Sequence, residues 1–366
     1  MSKKVSRNSN IELLRIISML MVLVLHCLSG GGALIYKLGA RLYVYWWLEA
    51  LAIVAVDIFV LISGYFLCES KFKAKNLFTT AVGGVWIYSI LFSLLAMKIA
   101  GEGINYGLLI KACVPILTKK YWFVNSYILL YILSPYINKL IHSLTKKQFS
   151  LLIGYFILFF SIRPTVFPLT WSQDGTGGMG IIGFIMLYCI GAWIRLYYKN
   201  GKKTYQWLMI YLLCSFLLVV SKVGILRINE NISTKFYSYV SPIVLIEAVA
   251  LFFVFLSKKA MNKKAGNLIN KIAKHSFSVY IIHFSMMSVL FTEVFHVNTY
   301  VAHIGSGVAA VFVSVTITYV VCTIIDIIKD YLFEKIGLLL QKSCLNRVYN
   351  NICLKWEKQL DKLYED

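Results

Sequence analysis

The stretch IELLRIISMLMVLVLHCL, residues 11–28, decides the fold of this chain. Its length is about that of a helix that crosses the roughly 30 Å of hydrocarbon in a bilayer. Two ionisable residues, Arg15 and His26, interrupt the apolar run. At about 100° per residue, their spacing places both side chains on one helical face, about 16 Å apart along the axis. Because charge at membrane depth is costly, such residues usually face a site rather than lipid.

Each of these two residues also has a simpler explanation when it is considered alone. Arg15 could extend its side chain to the inner membrane surface, and His26 could merely lie near the outer end of the helix. A functional cavity requires further polar residues on neighbouring helices. The rest of the chain therefore decides between the two interpretations.

The composition of the whole chain indicates a polytopic membrane protein. Of 366 residues, 59% are hydrophobic and only 14% are charged, and the mean hydropathy is +0.73. These values exclude a soluble domain of useful size. We predict an all-α membrane protein with about ten transmembrane helices. The apolar windows lie at residues 11–28, 44–67, 78–99, 121–140, 149–167, 181–198, 205–222, 240–257, 276–294 and 301–327.

The basic residues between these windows predict the orientation of the chain. If the N-terminus is inside, most of the 37 lysine and arginine residues fall in segments on the cytoplasmic side. We therefore expect both termini to be cytoplasmic. The net charge of +21 then reflects topology and contact with anionic lipid, and not binding to nucleic acid.

The chain divides into a membrane domain, residues 1–327, and a cytoplasmic tail, residues 328–366. Apolar residues recur in the tail at helical spacing, with charged residues between them. They are Leu345, Val348, Tyr349, Ile352, Trp356, Leu360 and Leu363. We expect an amphipathic helix that lies at the membrane surface, with binding to a partner as the alternative.

The cysteines give no indication of a metal site. All eight are scattered, without a C-x-x-C motif and without histidine at metal-ligand spacing. We interpret them as buried packing residues, and we expect no metal.

A second intramembrane histidine lies in the ninth window. Tyr280 and His283 are one helical turn apart within HSFSVYIIHF, residues 275–284. A single buried histidine is commonly a structural hydrogen-bond donor, but two histidines together with Arg15 favour a polar cavity through the bundle. Because the first and ninth helices cross the membrane in the same direction, we expect His26 in the outer half and His283 nearer the inner surface.

The second window contains Asp57 near its middle. An unpaired carboxylate at this depth has a free-energy cost on the order of several kcal/mol. We therefore expect Asp57 to pair with Arg15, to bond to a histidine, or to be protonated. A structural ion pair and a catalytic role are both compatible with the sequence. Ser63 and Gly64, which follow, allow close approach of a neighbouring helix or ligand, and Glu247 in the eighth window is a further buried candidate.

The fourth window begins with three aromatic residues, Tyr121, Trp122 and Phe123. An aromatic belt at the outer membrane surface explains Tyr121 and Trp122 without a functional role. Asn125, which follows within the helix, requires a polar partner.

Four motifs together resemble the acyltransferase-3 family of integral membrane acyltransferases. They are Arg15-x10-His26 in the first window, VDIFVLISGYF (residues 56–66) in the second, Tyr121-Trp122-Phe123 with Leu133-Ser134-Pro135 in the fourth, and SVYIIHF (residues 278–284) in the ninth. Their order and spacing also match, and the resemblance covers roughly residues 8 to 330. It implies that His26 is the essential histidine of the family and Arg15 its partner arginine.

The resemblance also implies a reaction. Members typically transfer an acetyl or other short acyl group from cytoplasmic acyl-CoA to a hydroxyl of a surface glycan or of a lipid-linked precursor. This chain looks closer to the single-domain sugar O-acetyltransferases than to members that append an extracellular hydrolase-like domain. Acyl-CoA is then a donor substrate, and no tightly bound cofactor is expected.

One departure from the family concerns the phosphates of the donor. Many members have Arg-x-x-Arg after the second span, whereas this chain has Lys71-Phe-Lys73-Ala-Lys75. Lysine attracts phosphate but lacks the planar bidentate fork of arginine. We expect Lys71, Lys73 and Lys75, with Tyr280, to contact acyl-CoA.

The mechanism expected from these residues begins with His26 as the base for the incoming hydroxyl. Arg15 would bind an anionic part of CoA or hold Asp57. Two roles are open for His283, which with Tyr280 would serve the donor side or relay the acyl group covalently.

The alternative function is a multi-span transporter or flippase for a glycan precursor or an anionic metabolite. Such a protein would also have about ten spans, intramembrane charges and a basic inner face. It would predict internal repeats, but the Arg15-x10-His26 pattern has no counterpart in the second half of the chain. The sequence favours the enzyme, in the plasma membrane of a bacterium.

Overall fold

The computed structural model describes residues 8–34, 42–101, 103–167, 177–199, 203–226, 235–340 and 344–362. Within these ranges the chain is helical and contains no β-strand, which confirms the all-α class. Helices predominate because backbone N–H and C=O groups in a bilayer must pair within their own segment.

The first half of the chain forms α1 to α9. These are α1 Ser9–Gly30, α2 Leu42–Ala52, α3 Ala55–Leu67, α4 Ala74–Asn76, α5 Val85–Ile99, α6 Tyr106–Cys113, α7 Trp122–Ser143, α8 Lys146–Ile157 and α9 Arg163–Val166. Two π-helical segments, Leu77–Gly84 and Leu158–Ile162, join α4 to α5 and α8 to α9.

The second half forms α10 to α18. These are α10 Ile181–Tyr197, α11 Thr204–Leu226, α12 Pro242–Leu256, α13 Lys263–Ala273, α14 Ser276–Ser285, α15 Met287–Val289, α16 Val297–Tyr300, α17 Ile304–Leu340 and α18 Cys344–Asp361. A 3₁₀ turn at Lys235–Tyr237 precedes α12, and a π-helical segment at Leu290–Val294 follows α15.

Each of the ten apolar windows contains helix, but the helices differ in length. Among the described residues, six helical stretches are long and apolar enough to cross a membrane, and a bent pair, Lys263–Ser285 with Met287–Val294, makes a seventh. Val85–Ile99 and Ile181–Tyr197 are shorter apolar helices. The chain is a multi-pass membrane protein, and the number ten and the location of the termini stay predictions.

Helix α1 lies in the core of the bundle, against α2, α3, α12, α13, α14 and α17. Its start is fixed by Asn8, whose side chain accepts a hydrogen bond from the Asn10 backbone N–H at 3.0 Å. The Asn10 side chain in turn donates to the carbonyls of Lys258 and Lys259 beyond α12. These bonds connect the first helix to a segment about two thirds of the chain away.

Helices α3 and α10 pack at very short range through glycine. A Cβ atom on Gly64 would lie 2.1 Å from the Tyr188 carbonyl oxygen, and one on Gly191 would lie 2.3 Å from the Leu61 carbonyl oxygen. Small residues allow such backbone contact, in which van der Waals packing holds helices together. The close approach expected at Gly64 is confirmed.

The end of α3 is held by side chains from two other helices. Asn138 of α7 donates to the Leu67 carbonyl at 2.8 Å and accepts a hydrogen bond from the Tyr188 hydroxyl at 2.7 Å. Arg195 of α10 binds Glu69 at 2.6 Å. These contacts fix the point from which the chain continues into the lysine-containing segment.

Candidate active site

A cavity of about 500 Å³ lies among α1, α3, α7 and α14. His26 and Arg15 both line it, as the shared helical face predicts. Its other basic side chains are Lys71, Lys73 and Lys274. Aromatic side chains form much of the remaining wall, among them Trp122, Phe123, Tyr127, Tyr131, Tyr239 and Tyr280. The cavity therefore combines a cationic region with an aromatic one.

His26 contacts His283 directly, with 2.7 Å between Nδ1 of His26 and Nε2 of His283. The prediction that the two histidines lie at different depths is wrong. It assumed one continuous ninth span over residues 276–294, whereas the helical stretch Lys263–Ser285 meets Met287–Val294 at a bend of 60°. His283 thus lies near the end of the first stretch, level with the last turn of α1.

The partners of the two rings determine their tautomers. Nδ1 of His283 lies 2.7 Å from the Val279 carbonyl oxygen, which can only accept, so Nδ1 carries the proton. Nε2 of a neutral His283 is then an acceptor, and the Nδ1–H of His26 donates to it. Nε2 of a neutral His26 keeps a free lone pair. Since His26 lines the cavity and His283 is 1% exposed, His26 is the ring that a ligand can reach.

Aromatic rings enclose the histidine pair. Phe284 packs edge-on against His26 with ring centroids 5.5 Å apart, and Tyr280 lies 6.5 Å away. The Tyr280 hydroxyl is buried; it approaches the Phe123 backbone but makes no hydrogen bond of standard geometry with the described residues. It lies on a side chain that lines the cavity, where a ligand could accept its proton in a hydrogen bond.

The aromatic start of α7 belongs to this enclosure and not to a membrane belt. Tyr121 is completely buried, and its hydroxyl lies 2.6 Å from Ser285 Oγ. Trp122 lines the cavity and stacks on Tyr239 at 5.6 Å. Asn125 has the polar partner that the sequence requires, because its side-chain amide donates to the Ile116 carbonyl at 2.7 Å.

Arg15 pairs with its own helix. Its Nε lies 3.5 Å from Glu12 Oε2, one turn earlier, and a third of its side chain is exposed. The guanidinium therefore keeps donors available to a ligand, since a single long contact leaves most of its five N–H groups uncommitted.

Asp57 does not join the cavity. It is fully buried, does not line the cavity wall, and neither carboxylate oxygen has a hydrogen-bond donor among the described residues. The expected pairing with Arg15 or with a histidine is therefore wrong, because Asp57 points to a different face of α3 from Phe59 and Ser63, which do line the cavity. The protonated alternative stays a prediction.

Glu247 is also buried away from the cavity. The Ser215 hydroxyl donates to one of its oxygens. A separate buried ion pair joins Lys222 and Glu49 at 2.6 Å. These groups link α2, α11 and α12, and they serve the packing of that side of the bundle.

Two of the three predicted donor-binding lysines line the cavity. Lys71 and Lys73 line the cavity. Lys75 is exposed and does not line it, whereas the next residue, Asn76, does. In α4, Ala74 is the buried residue and Lys75 is exposed. The sequence did not single out Lys274, although it lies in the basic segment before the ninth window.

A network of charges flanks the cavity. His275 Nδ1 lies 2.6 Å from Asp326, and Lys329 binds both Asp326 and Asp330. The Tyr88 hydroxyl also donates to Asp326, at 2.6 Å. His275, Asp326 and Asp330 are close enough to share a metal ion, but lysine and tyrosine already occupy the carboxylates, so we interpret the group as an ion-pair network that joins α5, α14 and α17.

Comparison with known proteins identifies the family of the chain. A family model described as an acyltransferase domain, of the acyltransferase-3 type, matches residues 8–326. No curated protein and no solved structure matches the chain. The matched range contains α1 to α16 and most of α17, and with them every side chain that lines the cavity. The chain therefore belongs to the acyltransferase-3 family of membrane acyltransferases.

Proposed function

We propose that the protein transfers an acetyl or other short acyl group from acyl-CoA to a hydroxyl of a cell-surface glycan or of its lipid-linked precursor. One observation carries the proposal: His26, whose Nε2 has no partner in the hydrogen-bonded histidine pair, lines a cavity that is also lined by Arg15 and three lysines. A base and a group of cations in one cavity suit an acyl donor that carries several phosphates.

The donor would bind by charge at the lysines and by shape along the aromatic wall. Lys71, Lys73 and Lys274 would attract the phosphates of CoA, with Arg15 as a further cation in the same cavity. The neutral pantetheine chain would then reach toward His26. This arrangement replaces the Arg-x-x-Arg pair with lysines from two separate segments.

In the proposed chemical step, His26 Nε2 removes the proton from the acceptor hydroxyl. The hydroxyl oxygen attacks the thioester carbonyl carbon, and the carbon–sulfur bond breaks as the ester forms. The CoA thiolate leaves and receives from His26 the proton that came from the acceptor hydroxyl, so the neutral histidine is regenerated. The Tyr280 hydroxyl would donate a hydrogen bond to the carbonyl oxygen as negative charge develops on it.

His283 would orient His26 in this scheme. Both of its ring nitrogens are engaged, and the ring is 1% exposed. A covalent acyl relay needs a free and accessible nitrogen, so the geometry favours the orienting role. The partner ring holds His26 in the tautomer with Nε2 unprotonated, as a hydrogen-bonded carbonyl or carboxylate does for other catalytic histidines.

The first experiment measures O-acetyl esters on surface glycans of bacteria that lack this protein. The cells are complemented at equal expression with the wild type, with His26→Ala, or with His303→Ala as a control at an exposed histidine. We expect wild type and His303→Ala to restore acetylation, and His26→Ala to restore none. Full restoration by His26→Ala would contradict the assignment of the base.

A second experiment separates the enzyme from a transporter. Purified wild type in lipid nanodiscs is given acetyl-CoA and the acceptor glycan, and release of free CoA thiol is followed. We expect thiol release that depends on both substrates and that His26→Ala lacks. Transport of glycan without any thiol release would favour the transporter.

A further inference from the structure

We propose that α18 is a brace for the lysine loop, residues 71–76, and that Trp356 and Glu357 are positioning residues for the acyl donor. The inference rests on the proposed function, because it assigns to the lysine loop the binding of a phosphate-containing donor. It concerns residues outside the range that matches the family model, which ends at residue 326.

The contacts between α18 and the lysine loop are specific. Glu357 Oε1 accepts a hydrogen bond from the Ala74 backbone N–H at 2.8 Å. The Trp356 ring lies 5.3 Å from the Phe72 ring and 6.0 Å from the Phe78 ring. The aromatic face of the tail helix thus packs on the loop.

Helix α7 also contacts this loop. The Tyr131 hydroxyl lies 3.2 Å from both the backbone nitrogen and the backbone oxygen of Lys73. Its ring lies 5.0 Å from Phe72. Phe72 therefore contacts both Tyr131 and Trp356, while the flanking Lys71 and Lys73 side chains line the cavity.

The loop needs these outside partners because it supplies few of its own. Residues 71–73 have no regular secondary structure, and Lys73 is the N-cap of α4 without a capping side-chain bond. Glu357 takes the place of the missing cap. A lysine side chain is flexible, so the backbone that carries it must be held if several lysines are to meet one ligand without a large loss of entropy.

The tail acts on the loop and not on the ligand. None of the tail residues whose side chains the structure describes, 349–362, lines the cavity. A direct ion pair joins Lys71 and Asp361 at 3.1 Å, but the Lys71 side chain is largely exposed and that of Asp361 about half exposed, so this pair is weak. The brace therefore depends on Trp356 and Glu357.

The test compares two donors in nanodiscs. One is acetyl-CoA, and the other is S-acetylpantetheine, which lacks the phosphates. The variants are Glu357→Ala and Trp356→Ala, with Gln359→Ala as a control at an exposed position of the same helix. For acetyl-CoA we expect KM to rise about five- to tenfold with kcat within about twofold, since ordering of the loop is then a cost of binding.

For S-acetylpantetheine we expect the same KM in all four proteins. Equal changes in KM for both donors would show a general loss of structure and would overturn the inference. A lower KM or a higher kcat in the variants would overturn it too, because α18 would then block the cavity.

A second measurement is independent of activity. Hydrogen–deuterium exchange over residues 71–78 is compared between wild type and Glu357→Ala. We expect faster exchange in the variant, and unchanged exchange would contradict the brace. If exchange rises as expected but wild type releases no thiol from acetyl-CoA, the proposed function fails and the brace stands.

Discussion

At the scale of single residues, the pairing of His26 with His283 defines what the cavity can do. The carbonyl of Val279 fixes the tautomer of His283, and His283 fixes that of His26. A histidine without such a partner would distribute its proton between two nitrogens and rotate more freely. The pair thus presents one basic nitrogen in one direction.

A prediction at this scale concerns the hydrogen bond that the Nδ1–H of His26 donates to His283. In His283→Gln, the side-chain oxygen can lie near the former Nε2 and accept from His26, whereas His283→Leu offers no acceptor. We expect His283→Leu to lower kcat by on the order of 10²- to 10³-fold and His283→Gln by about tenfold, with KM for acetyl-CoA unchanged. Thiol release by equal amounts of folded protein measures both values. Equal impairment of the two variants would contradict the hydrogen-bond role.

A second prediction concerns Tyr280. The change Tyr280→Phe removes only the hydroxyl, which approaches the Phe123 backbone without a hydrogen bond of standard geometry. We expect kcat to fall by about 10- to 100-fold while the midpoint of thermal unfolding stays the same, because the hydroxyl would act only in the transition state. The matched control is Tyr127→Phe, which removes a hydroxyl that lies 3.1 Å from Ser63 Oγ and also lines the cavity. An unchanged kcat in Tyr280→Phe would exclude a role for its hydroxyl.

At the scale of elements, the contact between α3 and α10 places the wall of the cavity. Val56, Phe59 and Ser63 of α3 line it, while Gly64 on another face of the same helix meets α10. A side chain at position 64 would push the two backbones apart. The position of the cavity wall therefore depends on residue 64 having no side chain.

This dependence gives a prediction about stability. We expect Gly64→Ala to lower the free energy of unfolding by about 1 to 3 kcal/mol or more, because the new Cβ would meet backbone that cannot rotate away. The control is Gly154→Ala in α8, where nothing lies within 4 Å of the added atom. Thermal unfolding in detergent measures both, and an unchanged midpoint in Gly64→Ala would contradict this packing.

At the scale of the whole molecule, the cavity needs residues that are far apart in sequence. His26 and His283 are separated by 257 residues, and the lysine loop is held by a helix that follows the matched family range. The arrangement places the histidine pair and the lysine loop in one cavity. Such a cavity suits a substrate with an anionic end and a reactive end.

The orientation of the molecule can be tested on intact cells. With the N-terminus inside, His303 lies outside and Lys355 lies in the cytoplasm, as the distribution of basic residues predicts. We expect a membrane-impermeant thiol reagent to label His303→Cys in intact cells and Lys355→Cys only after the membrane is opened, with wild type as the background for the native cysteines. The reverse pattern would invert the predicted topology.

The sequence by itself determined the class of protein, the presence of helix in each apolar window and the face shared by Arg15 and His26. These properties are local, because apolar length and helical periodicity act over a few tens of residues. The four motifs also indicated the family, since each lies within a single span. Only the tertiary structure decided that His26 touches His283, that Asp57 lies outside the cavity and that α18 packs on the lysine loop. Those contacts depend on a bend, on glycine packing and on aromatic rings from distant helices, and no single segment of the sequence carries that information.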